Sequence, residues 1–175
     1  MEELVLKLKI QRVMGLMVLD FNEIIPGRLW VGGYVREEEV HELRQMGITT
    51  VVSMQTDEDL LHYGVSLHEL ALAYEDAGIE FRRLPTQDFD REALERNLPQ
   101  VVTQVEEALA NPRTKLYLHC TAGINRSPTA AAGFLIRSSG ISAREACDYL
   151  TARRDCNPTL DILERYEAAQ RGKPC

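Results

Sequence analysis

Cys120 and Arg126 are separated by Thr-Ala-Gly-Ile-Asn and followed at once by Ser127 and Pro128. Apolar residues alternate up to Leu118, and proline suits the first turn of a helix. The stretch therefore predicts a strand, a tight loop and then a helix starting at Ser127-Pro128. N–H groups of such a loop and of the first helical turn have no intrahelical acceptor, so they can curl inward as an anion cradle. Gly123 at mid-loop suits the torsions of that curl. Arg126 adds a planar guanidinium able to hold two oxygens of a tetrahedral oxyanion, which makes phosphate the fitting occupant. The same positive field favours thiolate over thiol at Cys120, and a thiolate is the form that attacks phosphorus. Ser127 can hydrogen-bond the sulfur and help it leave. His119 is expected to orient the loop, while Thr121, Ala122, Gly123, Ile124 and Asn125 meet substrate through the loop they form. Spacing alone does not make a site, because Cys147 and Arg153 repeat it. That second match has no glycine, no preceding strand and a helical pattern, so it reads as structural.

Attack on a phosphate ester also needs an acid, since an alkoxide leaves poorly until its oxygen is protonated. Pro85-Thr-Gln-Asp88-Phe89-Asp90-Arg91 places two carboxylates just after a predicted strand, at the sheet edge where α/β proteins hold ligands. Either could supply the proton. Asp90 fits better as the N-cap of a helix beginning at Arg91, which leaves Asp88 free to act.

The elements that must position these groups alternate between strand and helix. Pro26-Gly27 gives a turn before a short strand at Leu29-Trp-Val31, with Trp30 assigned to the core. A helix is predicted over 36–46 and stopped by Gly47, then a buried β-branched strand over 48–53. Residues 55–63 read as polar loop. A helix over 66–77 ends at Gly78 and a strand over 79–84 follows. A long helix over 91–110 can bend near Pro99; helices over 142–153, with Ser142 and Glu145 as a capping box, and 159–170 close the chain. The expectation is a single α/β domain over residues 21–171, a mostly parallel twisted sheet covered by helices on both faces, with residues 1–20 as an appendage.

A chain of 175 residues, 45% hydrophobic, suits one domain with a full core. Its formal net charge of −7 repels nucleic acid and anionic membranes at long range, so neither is an expected partner. No apolar run reaches the length of a membrane span, and Glu2, Glu3, Lys7 and Lys9 do not resemble a signal peptide; the expected address is cytoplasmic. The four cysteines and four histidines lack metal-ligand spacing, so free thiols and no metal or other cofactor are expected.

His119-Cys120-x5-Arg126-Ser127 resembles the signature of cysteine-dependent protein tyrosine and dual-specificity phosphatases. Cys120-Thr-Ala122-Gly123-x-x-Arg126 is closer still to the loop of the glucan phosphatases, laforin and the plant starch phosphatases. Asn125 departs from it, standing where that subgroup usually has glycine. Gln55-Thr-Asp57-Glu-Asp59-Leu60, Tyr63-Gly64, Asp88-Phe89-Asp90 and the segment from Arg154 to Asp161 also resemble plant starch phosphatases, in matching order. The resemblance implies a tyrosine-phosphatase-like fold of the dual-specificity type. It implies that the first aspartate of the triplet, Asp88, is the general acid, and that turnover runs through a phosphocysteine at Cys120 without metal. Phosphorylated α-glucan is the substrate it implies, with Tyr63 and Phe89 as sugar contacts. Rival substrates are phosphotyrosine or phosphoserine in proteins and, third, a phospholipid head group; a non-catalytic phosphate-binding module is the reading from another class.

Overall fold

The computed structural model describes residues 19–172. Within them the strands are β1 Phe21–Ile25, β2 Leu29–Gly32, β3 Thr50–Ser53, β4 Glu80–Arg83 and β5 Leu116–His119. The helices are α1 Val40–Gln45, α2 Asp57–His62, α3 Leu67–Asp76, α4 Arg91–Ala110, α5 Arg126–Ser139, α6 Ala143–Thr151 and α7 Leu160–Arg171. They form one sheet in the order β1-β2-β5-β3-β4, parallel except for β1, which pairs antiparallel with β2. The α/β, mostly parallel architecture expected from the sequence is what the chain adopts. Of the appendage assigned to residues 1–20, residues 1–18 lie outside the described residues.

Side chains alternate across the sheet with a period of two, and each face feeds a separate core. Leu29, Val31, Val52, Leu116 and Leu118 pack under α4 to α7. Trp30, Val51 and Tyr117 point the other way, against α1 and α3. Burial on both faces is why the strands carry near-continuous apolar runs.

Three elements differ from expectation. Residues 55–63 are not all loop: α2 forms because Thr56 and Asp59 make a capping box, the Asp59 amide donating to Thr56 Oγ1 at 3.1 Å and the Thr56 amide to Asp59 Oδ2 at 3.0 Å. Phe21–Ile25 is a strand not recognised in the sequence, joined to β2 through a turn in which Gly27 takes φ of 68°. The helix expected over 36–46 is a 3-10 turn, Glu37–Glu39, running into α1.

The parallel register sets up the site. Gly32 and Ser53 both lie opposite His119, and Arg83 lies opposite Ser53. The segments after β2, β3, β4 and β5 therefore leave the sheet side by side, at the edge where ligands of open α/β sheets bind.

Candidate active site

Cys120 follows β5 directly and is 3% exposed. The six carbonyls from Cys120 to Asn125 are each tied to a donor around the loop. His119 Nδ1 donates to Cys120 O at 2.9 Å, which requires the tautomer protonated at Nδ1. The amides of Tyr34, Asn157 and Thr129 donate to the carbonyls of Thr121, Ile124 and Asn125 at 2.9, 2.7 and 2.9 Å. Arg154 donates to Ala122 O from Nη2 at 3.2 Å and to Gly123 O from Nε at 2.7 Å. A trans peptide unit sets its N–H opposite its C=O, so this turns the amides of residues 121–126 toward the other face of the loop. Gly123 makes the curl possible: its φ is 67°, and a Cβ there would lie 2.5 Å from the Gly32 backbone.

Arg126 opens α5 with its side chain only 2% exposed. Nη1 donates to Asp59 Oδ2 at 2.7 Å and to Thr86 O at 2.8 Å. Nη2 donates to Thr121 Oγ1 at 3.0 Å and pairs with Asp88 Oδ2 at 2.9 Å. Nε is buried with no partner among the described residues. Burial alone would lower the Arg126 guanidinium, but charge on Cys120, Asp88 and Asp59, with the hydrogen bond to Asp59, raises it above the ordinary arginine value. The Thr121 hydroxyl accepts from Arg126 and from Gln55 Nε2 at 3.3 Å. Ser127 Oγ donates to Cys120 Sγ at 3.4 Å.

The two acids of the loop after β4 divide their tasks. Asp90 Oδ1 accepts from the Ala93 amide at 2.9 Å as N-cap of α4, while Asp88 reaches Arg126. Phe89 between them is 93% exposed with φ of 58°, a left-handed conformation that costs a bulky residue about 1–3 kcal/mol. Asn97 in α4 steadies the base of this loop, donating to Pro85 O at 3.2 Å and Thr86 Oγ1 at 3.3 Å. A groove of about 290 Å³ beside Arg126 is lined by Asp88, Phe89, Leu94, Ile124, Asn125 and Thr159 among others. Asn125 closes its floor, donating from Nδ2 to Asn157 O at 2.8 Å and Thr159 Oγ1 at 2.9 Å. Outside the lining of this groove, Tyr63 packs against Tyr34, with ring centroids 4.8 Å apart and planes tilted by 43°. Burial pushes the Tyr63 phenol up, with Tyr34, Asp59 and Asp88 adding to the rise and Arg126 opposing it.

Asp59 is the neighbour of Arg126 that sequence reasoning did not single out. Its signals were the Thr-x-x-Asp capping box and its place in the Gln55-to-Leu60 stretch that resembles plant starch phosphatases. Burial would raise this carboxyl, but the Arg126 guanidinium and the Thr56 amide hold it below the usual carboxylate range. A depressed native value stabilises the fold fully above the unfolded value of about 4, and that contribution is lost as pH falls through the native one. Asp59→Asn should therefore cost about 2 kcal/mol in urea unfolding at pH 7, with a smaller loss on acidification than wild type shows.

The second Cys-x5-Arg match is structural. Cys147 lies inside α6, and Arg153 sits over the Tyr149 ring at 3.5 Å. Burial pushes the Cys147 thiol up and the Cys156 thiol up to about 11, which holds both protonated. No helix among the described residues is long and apolar enough to cross a membrane.

Comparison with known proteins agrees with this geometry. The family model described as dual specificity phosphatase, catalytic domain, matches residues 29–164. The chain is 33% identical over 154 residues to the phosphoglucan phosphatase DSP4, amyloplastic, of Castanea sativa, covering 86% of this chain and 40% of that protein. It is 26% identical over 154 residues to laforin of Mus musculus, covering 81% and 46% respectively. The chain thus spans less than half the length of these two curated relatives. Among solved structures, the active form of Tk-PTP is similar at a TM-score of 0.72 and 26% identity, covering 87% of this chain and 99% of that one. Kinase associated phosphatase shares the fold at a TM-score of 0.73 and 20% identity, covering 90% and 98%.

Proposed function

The chain belongs to the family of dual-specificity phosphatase catalytic domains, and from that premise we propose that it hydrolyses phosphate monoesters through a phosphocysteine at Cys120. The observation that carries this reading is the buried Nε of Arg126, without a partner among the described residues, beside six outward-tied carbonyls. A buried donor left empty is costly, and a phosphate oxygen is the group that would satisfy it.

Cys120 thiolate attacks phosphorus in line; the S–P bond forms as the ester P–O bond breaks, and Asp88 passes its proton to the departing alkoxide. Water then attacks the phosphocysteine, giving a proton back to Asp88 while the P–S bond breaks. Ser127, donating to the sulfur at 3.4 Å, stabilises the returning thiolate. Loop amides and Arg126 hold the equatorial oxygens throughout, a preorganised electrostatic contribution. No step needs a metal.

We infer a phosphorylated α-glucan as the substrate. Support comes from relatives named as a phosphoglucan phosphatase and laforin. Support comes also from Phe89, an exposed ring held beside Asp88 by a strained backbone, where it can stack on a sugar face. Tyr63 and the groove along Ile124 and Asn125 would extend that surface. Phosphate release from solubilised phosphoglucan, a phosphotyrosine peptide and a phosphoinositide, at equal enzyme, ranks the candidates. Glucan should be fastest, and a faster peptide or lipid would overturn the substrate assignment. Hydrolysis of an aryl phosphate separates an enzyme from a phosphate-binding module.

A further inference from the structure

Two carbonyls of the loop, those of Ala122 and Gly123, are held by one side chain. Arg154 is 5% exposed and lies after α6, far from Cys120 in sequence. Its Nε and Nη2 grip Gly123 O and Ala122 O at 2.7 and 3.2 Å. The fit is close: a Cβ on Gly123 would stand 2.5 Å from Arg154 Nη2. A buried guanidinium must be compensated. Asp20 Oδ2 accepts from Nη2 at 2.6 Å, Asp20 Oδ1 from Nη1 at 3.4 Å, and Asn22 Oδ1 from Nη1 at 2.9 Å. Asp20 is itself fixed, its carbonyl accepting from the Gly33 amide at 2.8 Å, while the next amide, that of Tyr34, holds Thr121 O. The start of β1, the end of β2 and the segment after α6 thus close a ring around the outside of the loop.

We propose that Arg154, anchored by Asp20, is a positioning residue for the anion cradle. This rests on the phosphate reading above. By fixing two successive carbonyls, it fixes the two peptide planes that carry the Gly123 and Ile124 amides, and so aims those amides at the oxyanion. Its fork geometry is what the role needs. Lysine supplies the charge but is a point donor that cannot span both carbonyls.

The test uses the full chain, with orthovanadate as probe of the cradle and an aryl phosphate for turnover. In Arg154→Lys the orthovanadate dissociation constant should rise about tenfold and kcat should fall in parallel, per folded molecule. Asp20→Asn, which keeps the acceptor and removes the charge, should weaken orthovanadate about threefold. A purely structural role would lower the melting temperature and leave both readouts at wild-type values, and that result overturns the proposal. Should Arg154→Lys not fold, Asp20→Asn decides in its place: unchanged orthovanadate affinity overturns the positioning role. Wild-type protein that neither binds orthovanadate nor turns over aryl phosphate instead sinks the phosphatase reading itself.

Discussion

Cys120→Ser should reduce turnover of an aryl phosphate to near background, a loss of at least about 10⁴-fold. Serine is close to isosteric and Cys120 is buried, so binding is preserved while chemistry is lost. The reason lies in what surrounds the nucleophile. Cys120 lies against Arg126 and the amides that the outward carbonyls leave facing it, and a sulfur nucleophile there attacks phosphorus without a separate base. A hydroxyl ionises many pH units higher and would require a general base. The Ser127 hydroxyl at 3.4 Å is no base, and His119 Nδ1 is committed as a donor to the Cys120 carbonyl. The serine variant should accordingly bind orthovanadate or product phosphate with nearly wild-type affinity. Rapid acid quench of the wild type during turnover should recover phosphorus on Cys120. Turnover by the serine variant within about tenfold of wild type, or no trapped phosphocysteine in wild type, would remove the covalent mechanism.

The cysteine loop was legible in the sequence because its chemistry depends on neighbours in the chain: Cys120, Gly123, Arg126 and Ser127 act within one strand-loop-helix unit. What the sequence hid were the partners brought in by tertiary structure. Asp59 stands 67 positions from Arg126, and its segment, which carries the acidic run Asp57, Glu58 and Asp59, read as polar loop. Their acidity instead suits the positive end of a short helix, and the capping box sets that helix's start. Arg154 entered only as the first residue of a segment resembling plant starch phosphatases, and nothing local distinguishes it from exposed Arg153. Only burial among Asp20, Asn22 and the loop carbonyls does so. Thr121 is expected to meet substrate through the loop amides, and what the sequence did not show is that its hydroxyl joins Gln55 to Arg126. Strand β1 went unread because pairing with β2, rather than any strong local propensity, creates it.

Asp88→Asn should move binding and turnover in opposite directions. In the ligand-free chain the Asp88 carboxylate occupies Arg126 Nη2 at 2.9 Å, a position a phosphate oxygen must take over. Asparagine cannot form that ion pair, so orthovanadate should bind a few-fold more tightly. Turnover of a sugar phosphate should nonetheless fall by about 10²–10³-fold, because no proton reaches the alkoxide. An aryl phosphate with a good leaving group needs no such help in the first step. Its second step still lacks a base for water, so phosphocysteine should accumulate, with a burst of aryl alcohol before slow steady turnover. The alkaline decline in kcat/KM that arises when a general acid gives up its proton should vanish, since asparagine has none to lose. Asp90→Ala is the contrast. Removing this N-cap from α4 should cost about 1 kcal/mol of stability and leave the shape of the pH profile intact, because Asp90 is bound to the Ala93 amide rather than to Arg126. If the profile instead changed in Asp90→Ala and persisted in Asp88→Asn, the proton donor would be the second acid. Arg126 would then be held by Asp88 only as a structural pair, as it is by Asp59 at 2.7 Å.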